Sequence, residues 1–264
     1  VDSTNLELQR RWRAGQCHPQ LLVAEEQTAG RGRLGRQWHS RSGSSLTFSL
    51  ALPVPLQDWS GLSLVVGLAV AESLHPRVGL KWPNDLWVMD APQQGRKLGG
   101  ILVESVSAGA PSRMMPTAEA PKSSLLVIGI GLNVVEQDWE GVSVTPACVQ
   151  ELLPGVDAGQ VLQRVVPALA QALTQFFANG FAPFQARFGA RDVLAGGPLV
   201  LSDGRTGRSA GVDIDGAMLL DIGLERVRVV SGEVSVRPGQ DESGSFVPTG
   251  SQGSAPDDPV AISR

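Results

Sequence analysis

Two spacings of apolar residues, one helical and one extended, alternate along the chain. After Ser3-Thr4-Asn5, the residues Leu6, Leu8 and Trp12 precede Gly15. That pattern predicts a first helix with a Ser or Thr cap and a glycine stop. Residues 21–24 read as a short buried strand, and 30–43, broken by glycines and carrying four arginines, read as loop. Leu46, Phe48, Leu50 and Leu52 alternate with small or polar residues, which predicts a strand with one buried face, ended by Pro53 and Pro55. Residues 60–74 are apolar nearly all round, as in a buried helix, with Pro76 as its stop. Strand-like runs follow at 78–82, 85–89, 98–103 and 125–135. Helical spacing returns over 161–177 through Val165, Leu169 and Leu173, with a further turn or two at 181–188. Pro167 calls for a kink or a later start.

The pattern changes at Gly196-Gly197. Short strands at 199–201, 210–214, 218–222 and 226–231 are separated by Ser202-Asp203-Gly204 and Asp215-Gly216, the residues of tight turns. A β-unit of about 40 residues barely buries its own core and should lean on its neighbour. The expected division is a large domain over 1–194, a small β-domain over 195–238 and a disordered tail over 239–264. The Ala-, Pro- and Ser-rich stretch 107–124 reads as a surface insertion.

Composition narrows the class. The 264 residues are 42% apolar, which excludes wholesale disorder, and 22 basic against 26 acidic side chains give a net charge of −4. That balance argues against a surface built for nucleic acid. Cys17 and Cys148 are too few for a disulfide scaffold or a closed zinc site, which fits a reducing cytosol. No apolar run approaches the roughly 18 residues of a membrane span. No cleavable leader is visible, although the chain opens at Val1 and leaves open residues upstream. The expectation is a soluble, cytoplasmic α/β enzyme or binding protein.

Four segments carry candidate chemistry. Gly30-Arg31-Gly32-Arg33-Leu34-Gly35-Arg36 matches the dinucleotide fingerprint literally, but no helix pattern follows and no Gly-Lys-Ser/Thr makes it a Walker loop. Three arginines on a glycine-rich backbone suit a mobile cationic flap that wraps an anion; the bland alternative is a solvated basic loop. Lys81-Trp82-Pro83-Asn84-Asp85 puts an amide and a carboxylate at a break between strands, where Asp85 is able to ligate Mg²⁺, or it is a plain turn. Lys97-Leu98-Gly99-Gly100-Ile101-Leu102-Val103-Glu104 places two glycines in an apolar strand, as when something passes close to the backbone, or as a β-bulge. Gly129-Ile130-Gly131-Leu132-Asn133 repeats that logic and flattens one strand face. Each has a modest alternative; together, within about 100 residues, they point to one site.

In this order, and preceded by Ser3-Thr4-Asn5, these segments resemble the biotin–protein ligases over roughly residues 1–238, with residues 90–95 and 107–124 as insertions relative to that family. Lipoate ligases share that fold without this combination of motifs. The resemblance implies an α/β (α+β) protein: a central mixed β-sheet of the class II aminoacyl-tRNA synthetase-like biotin/lipoate ligase type, plus a small C-terminal β-barrel. It implies ATP and Mg²⁺, with biotin as substrate, and no zinc, haem or flavin. Biotin becomes biotinyl-5′-AMP and then passes to a lysine of the biotin carboxyl carrier domain of acetyl-CoA carboxylase. Carried onto this sequence, Ser3, Thr4, Asn5, Gln27, Gly99 and Gly100 would surround biotin. Arg31, Gly32 and Arg33 would close over it, and Lys97 would hold its carboxylate. Arg36, Trp38, Lys81, Asn84, Asp85 and Asn133 would surround the nucleotide, with Asp85 and Asn133 near Mg²⁺ and Lys97, Arg33 and Asp85 catalytic. A ligase without DNA or membrane binding, monomeric or homodimeric, is expected, since relatives that repress transcription carry a further N-terminal domain. The alternatives are a lipoate or octanoate ligase, and a non-catalytic sensor of the biotin adenylate.

Overall fold

The computed structural model describes residues 1–55, 58–91, 94–107, 123–137, 146–230 and 236–238. Most of the 107–124 insertion, positions 92–93 of the 90–95 insertion, and the tail after Pro238 lie outside the described residues.

Helix α1 (Thr4–Arg13) starts as expected, with Ser3 as its cap accepting from Leu6 N. Strands β1 (Gln20–Ala24), β4 (Ser45–Pro55), β5 (Val78–Lys81), β6 (Asp85–Ala91), β7 (Gln94–Ser107) and β8 (Ser123–Asn133) form a six-stranded sheet in the order β1-β4-β8-β7-β6-β5. Expected to be mixed, the sheet is antiparallel in all its pairings among the described residues, and a parallel bridge links Leu80 to Asp192. Helix α2 (Leu62–Leu74) is apolar all round because it lies between the sheet and α3 (Ala158–Asn179), both of which contribute to the same core as its buried residues. Helix α3 continues unbroken through Pro167 from a start earlier than the sequence suggested, capped by Asp157. On the other face of the sheet, α1 packs Leu8 and Trp12 onto Ala51, Leu125 and Val127.

Three local expectations fail for identifiable reasons. Residues 21–24, read as buried, form the edge strand β1, and Leu21 and Val23 are 43% and 45% exposed. Pro53 and Pro55 do not end β4, because β1 pairs with it only as far as Ala51 and a residue without an N–H is tolerated beside an open edge. The 30–43 loop contains a small ribbon, β2 (Gly30–Arg31) with β3 (Gln37–Trp38), around a tight turn at 33–35 where Leu34 takes a left-handed φ of 55°.

After the short helix α4 (Gln185–Gly189), strands β9 (Pro198–Leu201), β10 (Thr206–Val212), β11 (Met218–Ile222), β12 (Glu225–Val229) and β13 (Val236–Pro238) build a second sheet, ordered β12-β11-β10-β9-β13. It does lean on its neighbour. Leu199, Leu201, Met218 and Leu220 join the main core, and the indole of Trp82 donates to Gly216 O at 3.1 Å.

Candidate functional site

Strand register builds the floor of the site. Thr47 of β4 faces Gly131 of β8, Gly131 faces Gly100 of β7, and Gly100 faces Asp85 of β6, one row across four strands. Two residues along, Ser49, Gly129 and Leu102 form a second row on the same side. The glycines are there because other groups come close. A Cβ on Gly129 would collide with the carboxamide of Asn5, and one on Gly131 with the indole of Trp38. The resulting cleft, about 130 Å³, is roofed by the N-terminus of α1 and by the Arg31–Arg36 ribbon turn.

One end of the cleft is lined mainly by neutral side chains in tight hydrogen bonds, and its charges meet in the Arg31–Glu104 pair. Thr4 donates to Gln27 Oε1 from its backbone N at 2.7 Å and from Oγ1 at 3.0 Å. Ser49 Oγ lies 2.6 Å from both Thr4 Oγ1 and Asn5 Oδ1. Asn5 Nδ2 and Gln9 Nε2 donate to Glu104 Oε2 at 2.9 and 3.1 Å, and Arg31 reaches Glu104 Oε1 at 3.3 Å, tying the ribbon to α1. The other end is charged. Lys97 Nζ donates to Asp85 Oδ1 at 2.8 Å, and Arg33 extends to Asn84 Oδ1 at 3.5 Å. Asn84 is itself fixed by a 2.8 Å bond to Ile101 O. Burial pulls the Arg33 guanidinium below its ordinary pKa, Asp85 opposes that pull and the like charge of Arg36 adds to it. Arginine stays protonated through such shifts, so the cleft holds a desolvated fixed cation.

Of the residues singled out from sequence, Ser3, Thr4, Asn5, Gln27, Arg31, Gly32, Arg33, Arg36, Trp38, Asn84, Asp85, Lys97 and Gly100 line this one cleft. Three do not. Lys81 places Nζ 4.4 Å from the Trp87 ring centroid. Gly99 turns to the opposite side, where a Cβ would strike Gly131 O and Leu132. Asn133 is buried and donates to Ala147 O at 3.1 Å, so it does not join Asp85 at the cleft. Among the described residues no group of three or more His, Cys, Asp or Glu is arranged to hold a metal. Thr47 and Ser49 belong to no motif, and Glu104 closes the Lys97–Glu104 segment without a role assigned to it from sequence. The signal was the polar half of the β4 alternation, Ser45, Thr47 and Ser49, which is buried rather than solvated.

The biotin/lipoate A/B protein ligase family matches residues 1–115. The bifunctional ligase/repressor BirA of Salmonella typhimurium is 33% identical over 251 residues, 90% of this chain and 72% of that protein. The biotin–[acetyl-CoA-carboxylase] ligase of Mycobacterium tuberculosis is 32% identical, covering 88% of this chain and 85% of that one. The chain belongs to the biotin–protein ligase family. The fold agrees: the biotin protein ligase from Aquifex aeolicus in complex with biotin and ATP superposes with a TM-score of 0.72 at 28% identity, over 90% of this chain and 96% of that one. This ligase therefore carries a cleft with one neutral and one cationic end. A second, wider depression of about 480 Å³ lies against the ribbon turn and runs along the β7 edge from Ile101 to Ser105. Among its described residues no helix is long and apolar enough to cross a membrane.

Proposed function

We propose that the protein is an ATP-dependent biotin–protein ligase acting on the biotin carboxyl carrier domain of acetyl-CoA carboxylase, in the cytoplasm. The observation that carries this reading is the polarity of the cleft. A neutral hydrogen-bonding end, Ser3, Thr4, Asn5 and Gln27, suits the ureido ring of biotin, and a cationic end, Lys97, Arg33 and Arg36, suits its carboxylate and the α-phosphate of ATP. In this reading residues 1–194 form the catalytic domain and 195–238 a smaller supporting one.

The first step joins two anions. A carboxylate oxygen of biotin attacks the α-phosphorus of ATP, the bond to the diphosphate breaks, and biotinyl-5′-AMP forms. Lys97 and the arginines offset the repulsion and the charge that builds at the phosphorus. The Asp85 carboxylate orients Lys97 Nζ without removing its charge from the cleft. The ribbon turn shields the mixed anhydride from water. In the second step the carrier lysine, entering from the wider depression beside the turn, attacks the acyl carbon through its neutral amine; AMP leaves and the amine proton is lost.

The test is incubation with ATP, Mg²⁺ and either biotin or lipoate, with and without a carrier domain, following adenylate and labelled protein. Biotin-dependent adenylate and transfer are expected. Transfer of lipoate in preference to biotin, or no adenylate at all, overturns the proposal.

A further inference from the structure

Lys97 sits where strand β7 loses its regular pairing on both sides. Toward β6 the register shifts, from Leu86–Gly99 to Trp87–Lys97, and the extra residue, Leu98, is buried in the core. Toward β8 the pairing starts at Gly99 with Leu132, and β8 ends at Asn133, so Lys97 and Arg96 lie beyond it. Residues 147–151 take the vacated place. Ala147 N donates to Lys97 O at 2.9 Å, Ala147 O accepts from Asn133 Nδ2 at 3.1 Å, and Gln150 N donates to Val134 O at 3.0 Å. Arg96 then bridges two carboxylates from distant parts of the chain. It donates from Nε and Nη2 to Asp90 at 2.9 and 3.2 Å, and from Nη1 and Nη2 to Glu151, the Nη1 bond at 3.1 Å. Glu151 Oε1 also accepts from Cys148 N at 2.8 Å, which fixes that carboxylate to its own turn.

A guanidinium that grips a carboxylate through two parallel N–H bonds holds direction as well as distance. A bulged strand has given up part of its ladder, so its course depends on such outside contacts. Arg96 and Lys97 are adjacent, and the Arg96 bridge and the Ala147 bond together fix the backbone from which Lys97 Nζ reaches Asp85 Oδ1 at 2.8 Å. Neither Arg96 nor Glu151 lines the cleft. We infer that the Asp90–Arg96–Glu151 bridge sets the place of Lys97, and that Arg96 and Glu151 are positioning residues acting through Lys97 rather than on a substrate. The inference rests on the function proposed above, in which Lys97 offsets the charge of the two joining anions.

Initial rates of biotinyl-adenylate formation are measured for wild type, Glu151→Gln, Arg96→Lys, Lys97→Ala, and Lys97→Ala combined with Glu151→Gln, beside melting of the ligand-free proteins. Glu151→Gln keeps an oxygen for Cys148 N and removes the charge that Arg96 grips, whereas Arg96→Lys keeps the charge and loses the fork. Each is expected to slow adenylation about five- to twentyfold. In the Lys97→Ala background, Glu151→Gln is expected to change the rate by less than about twofold, because its effect passes through a side chain already removed. Melting stays within about 4 °C of wild type, since the bridging side chains are partly exposed. Rates for Glu151→Gln and Arg96→Lys within about twofold of wild type overturn the inference. So does an equal slowing by Glu151→Gln with and without Lys97, the mark of a bridge that only supports the fold. Failure of the wild type to form any adenylate overturns the proposed function instead, so the two failures are distinguishable.

Discussion

The two faces of the six-stranded sheet are made from the same strands, one residue out of step, and they treat volume and polarity in opposite ways. Toward α2, strands β4 and β8 present Leu46, Phe48, Leu126, Ile128, Ile130 and Leu132, all buried in one apolar core. Toward α1 the same strands present Ser45, Thr47, Ser49, Gly129, Gly131 and Asn133. The core face gains stability by filling space. The cleft face gives up side chains at Gly129 and Gly131, where the Asn5 carboxamide and the Trp38 indole lie against the backbone instead. Along β8 the change takes place on one face: Leu125 and Val127 pack under α1, and the next two positions are glycine. A binding site is here the place where a packed layer stops being filled.

Perturbing each face should therefore give a different signature. The largest effect is expected at the charged end. Lys97→Ala should slow biotinyl-adenylate formation about 10²- to 10³-fold, while urea unfolding shifts by less than about 1 kcal/mol, because the Lys97–Asp85 pair is partly exposed. Adenylation within tenfold of wild type would remove Lys97 from the mechanism.

On the core face, Ile128→Ala should lower unfolding free energy by about 3 kcal/mol and leave the KM values of the folded fraction alone. A raised KM without lost stability would erase the distinction between the faces. Asp192, where the parallel bridge joins Leu80 to the segment leading into the second sheet, tests whether a desolvated polar group away from the cleft has a purely structural cost. Burial pushes its carboxyl from 3.8 up to about 6, against the opposing hydrogen bond from Leu194 N. The folded state thus favours the protonated form. Its stabilising contribution is complete below about pH 4 and is lost as pH rises through about 6. Asp192→Asn should abolish that decline, leaving the variant up to about 3 kcal/mol more stable at pH 7 and level near pH 4. Denaturation curves across this range check it, and parallel curves for the two proteins would refute it.

The smallest effect is expected at Gly100. The nearest atoms to a Cβ there are Asp85 Oδ1 at 3.5 Å, Lys97 Nζ at 3.7 Å and Lys97 Cε at 3.8 Å, all ordinary contacts. Gly100→Ala should change stability by less than about 1 kcal/mol yet raise the KM of a substrate about fivefold by narrowing the cleft. Unchanged KM values would mean that the floor at Gly100 is not used.

Much of this architecture was legible in local patterns. The Ser3 cap, the apolar α2 and the turns at Gly204 and Gly216 are decided by neighbours within a few residues, and all appear where the periodicity placed them. The edge position of β1 and the continuation of β4 through Pro53 were not legible, because both depend on which strand lies alongside. At the site, the motif residues converge on one cleft, but Lys81, Gly99 and Asn133 turn away from it, and Thr47, which lines it, belongs to no motif. Motif membership names a residue; it does not name the face to which the residue points.

The sequence by itself determined the ingredients: a cationic glycine-rich turn, a lysine ahead of two glycines, a Gly-x-Gly strand and a capped helix carrying Ser3, Thr4 and Asn5. Only the tertiary structure decided how they combine. In a regular strand Lys97 would share a face with Gly99 and oppose Gly100. The β6–β7 pairing shifts register between Leu86 and Trp87, moving from the Leu86–Gly99 pair to the Trp87–Lys97 pair across an extra residue. That irregularity brings Lys97 onto the face of Gly100 and within reach of Asp85. Strand parity is local, but a register shift is set by the neighbouring strand, so the assembly of the charged end belongs to the fold.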